Sequence, residues 1–167
     1  MILRLYHDRS SLAEVAGLKG AIEDFYGTYG ARVMDGGFLH IPVRISAYAG
    51  EKSLNAARLL RHLSAFSDLS ALPGMESHAS LWVIGAEIFY PGSGSVFGCA
   101  AGRSALISKS GLDEDMLIKE ALHEVGHLLG LDHCQGQCIM SLSDSLDLAR
   151  QKPGVLCLDC ASRLRGT

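Results

Sequence analysis

A chain of 167 residues, 48% apolar and 20% charged, has the composition of a soluble globular protein with room for one buried core. Its formal net charge of -3 gives no basic footprint for nucleic acid, and no apolar run reaches the roughly 20 residues that a membrane span needs. The opening MILRLYHDRS has neither a long apolar stretch nor a small-residue cleavage site, so the expectation is a cytoplasmic chain.

Met1 to Tyr6 is a short apolar run suited to a buried strand. From Ser11 to Phe25 the residues Leu12, Val15, Ala16, Leu18, Ile22 and Phe25 recur at helical spacing, with Ser10 or Ser11 as a cap. Gly27 and Gly30 break that helix, and Ala31 to Ile45 reads as extended with an interruption at Gly36-Gly37. Strand, helix and strand in this order predict a βα unit. Ser53 to Phe66 returns to helical spacing, and Asp68 to Ser80, which holds Pro73-Gly74, reads as a loop. Leu81 to Tyr90 is apolar and β-prone enough for one central strand. PGSGSVFGCAAGR follows as a glycine-rich loop, and Ser104 to Ser108 as a short strand that could sit at an edge and pair with an extended peptide. His7, His40, His62 and His78 lack neighbours at ligand spacing and read as structural or surface histidines.

Asp113 to Leu129 is predicted to be helical, with Asp113 as cap and Glu114 and Asp115 at the positive end of the dipole. Ile118, Leu122, Val125 and Leu129 are expected to pack inward. Within this helix begins His123-Glu124-x-x-His127-x-x-Gly130-x-x-His133. Residues four apart on a helix lie only about 40° apart around its axis, so His123 and His127 can face one ion. Glu124 is close enough to handle a water without being a ligand. Gly130 suits a left-handed helix end, after which the chain can bring His133 back as a third ligand. Three imidazoles leave one position of a zinc ion open, the arrangement of catalytic zinc. Met140 can supply a soft floor beneath the metal, or be plain core. Glu120 shares the histidine side of the helix and reads as a solvated carboxylate, with a hydrogen bond to a ligand imidazole as the alternative.

Four of the five cysteines, Cys134, Cys138, Cys157 and Cys160, crowd into the last fifth of the chain. Two close pairs separated by fewer than about twenty residues have the spacing of a structural zinc site, with disulfides or buried thiols as the other readings. Cys134 directly follows His133, so such a site would also fix the third imidazole's backbone. Cys99 reads as a small buried residue in a tight loop.

The extended histidine motif joined to HC…C-x-M…C-x-x-C resembles the archaemetzincin family of metzincin-clan zinc peptidases, and VFGCAAGRSALIS resembles that family's segment ahead of the metal helix. The resemblance is best over Val96 to Cys160. It implies an α/β (α+β), single-domain metzincin-like fold over residues 1–167. A mixed sheet with backing helices would occupy 1–112, and the active-site helix, Met-turn and cysteine segment 113–167. It further implies two zinc ions per chain. One would be catalytic, on His123, His127 and His133 with Glu124 as general base and Met140 as Met-turn. The other would be structural, on Cys134, Cys138, Cys157 and Cys160. The first cysteine pair departs from the family's pattern, with three intervening residues here instead of four, and the span from Met140 to Cys157 is one residue short. Gly136 can let the shortened turn close.

The implied activity is hydrolysis of a peptide or protein substrate by a chain favoured as monomeric, whether as aminopeptidase or endopeptidase. Tyr90 is a weak candidate for an oxyanion donor. A second reading is a zinc-stabilised peptide- or partner-binding module with an inert or dormant histidine site. The presence of Glu124 favours the enzyme.

Overall fold

The computed structural model describes residues 1–42, 45, 53–70, 78–143 and 145–166. Its frame is a five-stranded sheet. In chain order the strands are β1 (Ile2–His7), β2 (Arg32–Phe38), β4 (His78–Ile84), β7 (Gly98–Ala101) and β8 (Ser104–Ser108). Their spatial order is β2-β1-β4-β8-β7, parallel throughout except that β7 runs antiparallel at the edge. A smaller sheet pairs β3 (Leu54–Asn55), β5 (Ile88–Tyr90) and β6 (Gly94–Val96).

Helices cover both faces of the large sheet, as parallel strands require. Leu3 and Leu5, Leu81 and Val83, and Ala105 and Ile107 face one core, shared with α1 (Val15–Tyr26), α3 (Glu114–Leu128) and the cysteine segment. Tyr6, Trp82, Ile84 and Leu106 alternate onto the other, against α2 (Ala56–Ser70). The period-two division of continuous apolar runs explains why those runs read as buried strands.

Several expectations shift. The first helix starts at Val15, because Asp8 caps a short 3-10 turn at Arg9–Ser11 and leaves Leu12 exposed. The Gly36-Gly37 interruption is a bulge where the β1–β2 register slips. Asn55, whose side chain accepts from Arg58 N at 3.1 Å, starts α2, which continues to Ser70 through the beginning of the expected loop. Pro73-Gly74 lies outside the described residues.

Leu81 to Tyr90 is not one strand. β4 ends at Ile84, where Gly85 N donates to Asp8 Oδ2 at 2.9 Å and the Ser10 side chain fills the space of a Cβ. The chain therefore leaves the large sheet and enters the small one as β5. The glycine-rich stretch expected to be loop contains β6 and β7. Its composition reflects close packing: a Cβ at Gly98 would lie 2.7 Å from Glu124 Oε1. Consequently the edge strand is β7, while Ser104–Ser108 is interior.

Beneath α3, Met140 and Tyr26 press against Gly126. A Cβ there would meet the Met140 methyl and the Tyr26 hydroxyl, both at 2.9 Å. Both side chains are fully buried, and the hydroxyl donates to Leu122 O at 2.9 Å, so neither has room to retreat. In an open helix Gly→Ala gains about 1 kcal/mol. Overpacking costs about 1–3 kcal/mol and reverses the sign. Gly126→Ala is therefore expected to lower the Tm measured by calorimetry; an unchanged or raised Tm would refute the packing argument.

Candidate metal centre

The centre is assembled at the C-terminal end of α3. Asp113 caps the helix through Met116 N at 2.9 Å, and Leu117, Ala121, Leu122 and Val125 bury its inner face. Ile118 and Leu129, expected to pack inward, are only partly buried. The helix stops at Gly130, at φ 90°, where Gly130 N donates to His127 O and Leu131 N to Gly126 O, each at 3.0 Å. This is a Schellman ending. Leu131 buries itself against the core, which swings His133 back towards the helix.

The three imidazoles converge, with centroid separations of 4.7, 5.3 and 4.7 Å. One donor atom from each lies within 4.8 Å of the others. His123 Nδ1 donates to Ile139 O at 2.9 Å, and His127 Nδ1 to Leu131 O at 2.7 Å. A carbonyl oxygen only accepts, so the proton of each neutral ring is on Nδ1 and each Nε2 is bare. These two bare nitrogens stand 3.1 Å apart. Without a proton between them they repel. A tetrahedral zinc with bonds of roughly 2.0–2.1 Å would separate two nitrogens by about 3.3 Å, so the donor set fits such an ion. Burial, reinforced by the Lys152 ammonium, pushes His123 down to about 3, and burial also lowers His127. Both shifts favour the neutral, ligating form.

Glu124 is buried beside the triad, and its Oε2 has no hydrogen-bond partner among the described residues. Burial raises its proton affinity well above the ordinary carboxylate range, and neighbouring Glu120 adds to this. Glu120 is itself buried, not solvated. Its Oε2 lies 3.7 Å from Lys152 Nζ, whose side chain is 2% exposed. Lys152 also lies 3.3 Å from His123 Nδ1. Sequence reasoning missed Lys152, since a lysine following a short polar helix carries no signal of burial. The Glu120–Glu124 spacing of one helical turn was the available hint for Glu120.

Centre and carboxylates open into a cavity of about 900 Å³ whose wall includes Tyr90, Phe97, Cys99, Leu142 and Leu146. Cys99 is thus a cavity residue on β7, its thiol pushed up to about 12 by burial, then by Glu124 and Glu120. The other histidines stand apart. His7 Nδ1 donates to Asp8 O at 2.9 Å, and His62 and His40 lie beside the rings of Trp82 and Phe38. His78 lies on β4.

The cysteine sulfurs of residues 134, 138, 157 and 160 also gather within 4.8 Å of one another. None is bridged, and the Sγ atoms of Cys134 and Cys157 are 3.7 Å apart. Four thiolates about 2.3 Å from a tetrahedral zinc would be spaced by about 3.8 Å, so this set fits too. Gly136 N donates to Cys134 Sγ at 3.4 Å and Cys157 N to Cys138 Sγ at 3.3 Å, so the shortened loop still brings its sulfurs together. A backbone N–H from Cys160 leads the effects that draw the Cys157 thiol down to about 7. Met140 is fully buried against Gly126 of the histidine-bearing helix, and Cys134 N donates to its carbonyl at 2.9 Å.

Comparison with known proteins agrees with this arrangement. Residues 110–166 match the model of peptidase family M54. The chain is 37% identical over 123 residues to an archaemetzincin of Archaeoglobus fulgidus, covering 68% of this chain and 74% of that one. It is 29% identical over 168 residues to an archaemetzincin of Pyrococcus abyssi, covering 90% and 86%. The crystal structure of archaemetzincin from Methanopyrus kandleri superposes with a TM-score of 0.79 at 26% identity, covering 99% of this chain and 94% of that one. That of the A. fulgidus protein, complexed with malonate, gives 0.78 at 27%, covering 98% and 99%. With the fold, the three convergent imidazoles and the cysteine cluster all in place, the chain belongs to the archaemetzincin family.

Proposed function

We propose that this chain is a zinc peptidase in which His123, His127 and His133 hold the catalytic ion and Glu124 is the general base. The observation that carries the reading is the Glu124 Oε2, without a partner among the described residues and buried in the same cavity as two bare imidazole nitrogens. Burying an unsatisfied carboxylate oxygen costs free energy, which a module that only bound peptides would have no reason to bear.

When bound, zinc supplies Lewis acidity, polarising the scissile carbonyl and acidifying an attacking water. Glu124 accepts that water's proton at Oε2 and delivers it to the leaving amide nitrogen. Gly98, lacking a Cβ, leaves the space that the Glu124 carboxylate occupies. One side of β7 pairs with β8, and its other side, at the sheet edge, offers backbone groups to an extended substrate. Cys134, Cys138, Cys157 and Cys160 would hold a second, structural zinc that ties the C-terminal helix α5 (Leu158–Arg165) under the site. Among the described residues no helix is long and apolar enough to cross a membrane.

Glu124→Gln is expected to retain its zinc and lose about 10²–10⁴-fold in turnover of a diverse peptide library. Undiminished cleavage would remove Glu124 from the mechanism. Elemental mass spectrometry is expected to find two zinc ions per wild-type chain and one in His127→Ala. A single ion in both proteins would mean that the histidines are empty as purified and would favour the binding-module reading.

A further inference from the structure

The buried pair Glu120–Lys152 lies where the proposed chemistry gives it no direct part. Its position next to His123 Nδ1 gives it a different one. Two groups approach that nitrogen: Ile139 O at 2.9 Å and the Lys152 ammonium at 3.3 Å. The first can only accept a hydrogen bond, and the ammonium can only donate. They therefore demand opposite tautomers. If Nδ1 donates to Ile139 O, Nε2 is bare and can bind a metal. If Nδ1 accepts from Lys152, the ring's single proton moves to Nε2 and the ligand position is lost. The ring carries one proton in either case, and only its place changes.

Something must occupy the ammonium. The Lys152 side chain is only 2% exposed where it borders the cavity, and Glu120 Oε2, 3.7 Å away, is the carboxylate paired with it. The polypeptide fixes both partners. Glu120 lies one helical turn before Glu124 on α3, and Lys152 immediately follows α4 (Leu146–Gln151). α4 is itself held to α3, since Lys119 Nζ donates to Arg150 O at 3.2 Å and Arg150 approaches Asp113 at 3.9 Å.

We infer that Glu120 is a positioning residue for the metal centre: by engaging the Lys152 ammonium it leaves His123 Nδ1 to donate to Ile139 O and Nε2 free for zinc. The inference rests on the reading of His123 as a zinc ligand. It makes an unusual demand on mutagenesis. Removing the carboxylate alone should harm the site more than removing both partners, because replacing a buried ion pair with apolar residues is commonly neutral while an orphaned buried charge is not.

The experiment compares full-length wild type, Glu120→Leu, Lys152→Met and the double variant. Zinc affinity of the histidine site would be measured by chelator competition. The His123 tautomer would be read from ¹⁵N chemical shifts after that site is stripped of metal. Glu120→Leu is expected to bind zinc about ten- to a hundredfold more weakly, the range for losing an outer-shell partner, and to show an Nε2–H resonance for His123. Lys152→Met and the double variant should retain the Nδ1–H form, and the double variant should bind within about threefold of wild type. Wild-type affinity in Glu120→Leu, or a double variant as weak as it, would overturn the inference. Wild type that binds no zinc at the histidines would instead sink the peptidase reading, while the ¹⁵N tautomer would still decide whether the pair sets the ring.

Discussion

Two bare imidazole nitrogens 3.1 Å apart are tolerable only because the opposite side of each ring is anchored. The anchors are carbonyl oxygens, and each comes from a turn that immediately follows a different structural event. Leu131 O belongs to the Schellman ending that Gly130 makes possible. Ile139 O sits between Cys138 and Met140, in the loop that the cysteine cluster closes. The histidine centre is therefore preorganised by backbone placed from outside it, in the way that outer-shell hydrogen bonds orient metal ligands generally. The same loop delivers Met140 under Gly126, so one short segment both anchors the His123 ring and packs beneath its helix.

A second constraint is the crowding of charge behind the centre. Glu124 and Glu120 lie one turn apart on α3, both pressed against Gly98, with the Lys152 ammonium 3.7 Å from Glu120. Burial raises the proton affinity of both carboxylates, Glu120 raises that of Glu124 further, and Lys152 opposes the rise in each. Glycine at 98 is what allows this proximity, since a Cβ would strike both carboxylates. The edge strand β7 is thus close to Glu124 because it lacks side-chain bulk there, and that lack is also why it looked like loop.

What the sequence made legible was whatever covalent spacing determines. His123 and His127 are four apart on a helix whose cap, dipole charges and glycine stop are all local, so their convergence follows from helix geometry. The cysteine pairs are similar, since their spacing already pointed to one four-sulfur cluster, with disulfides or buried thiols as the other readings. What stayed hidden depended on contacts far apart in the chain. Glu120 and Lys152 are distant in sequence, and the helix alone favours a solvated Glu120. The break at Gly85 depends on Asp8 and Ser10 reaching it across the sheet end, which no local apolar pattern reports. β6 and β7 were hidden by composition, because close packing selected the small residues that ordinarily mark loops.

The histidine and cysteine clusters are consequently unequal in what they do for each other. α5 has only eight residues, too few to persist on local hydrogen bonds, and it joins the core through Cys160, Ala161 and Leu164. Ile139 N donates to Val155 O at 2.7 Å, so the chain leading to Cys157 braces the loop that presents Ile139 O. Order thus passes from the sulfurs to the Ile139 carbonyl and on to the His123 ring. The return path is weaker. His133 is exposed and joins the sulfurs only through the backbone of Cys134, whereas Cys138 and Cys160 are buried in the main core. The cysteine segment is held by the core whatever the histidines bind, and the histidine geometry depends on that segment being held.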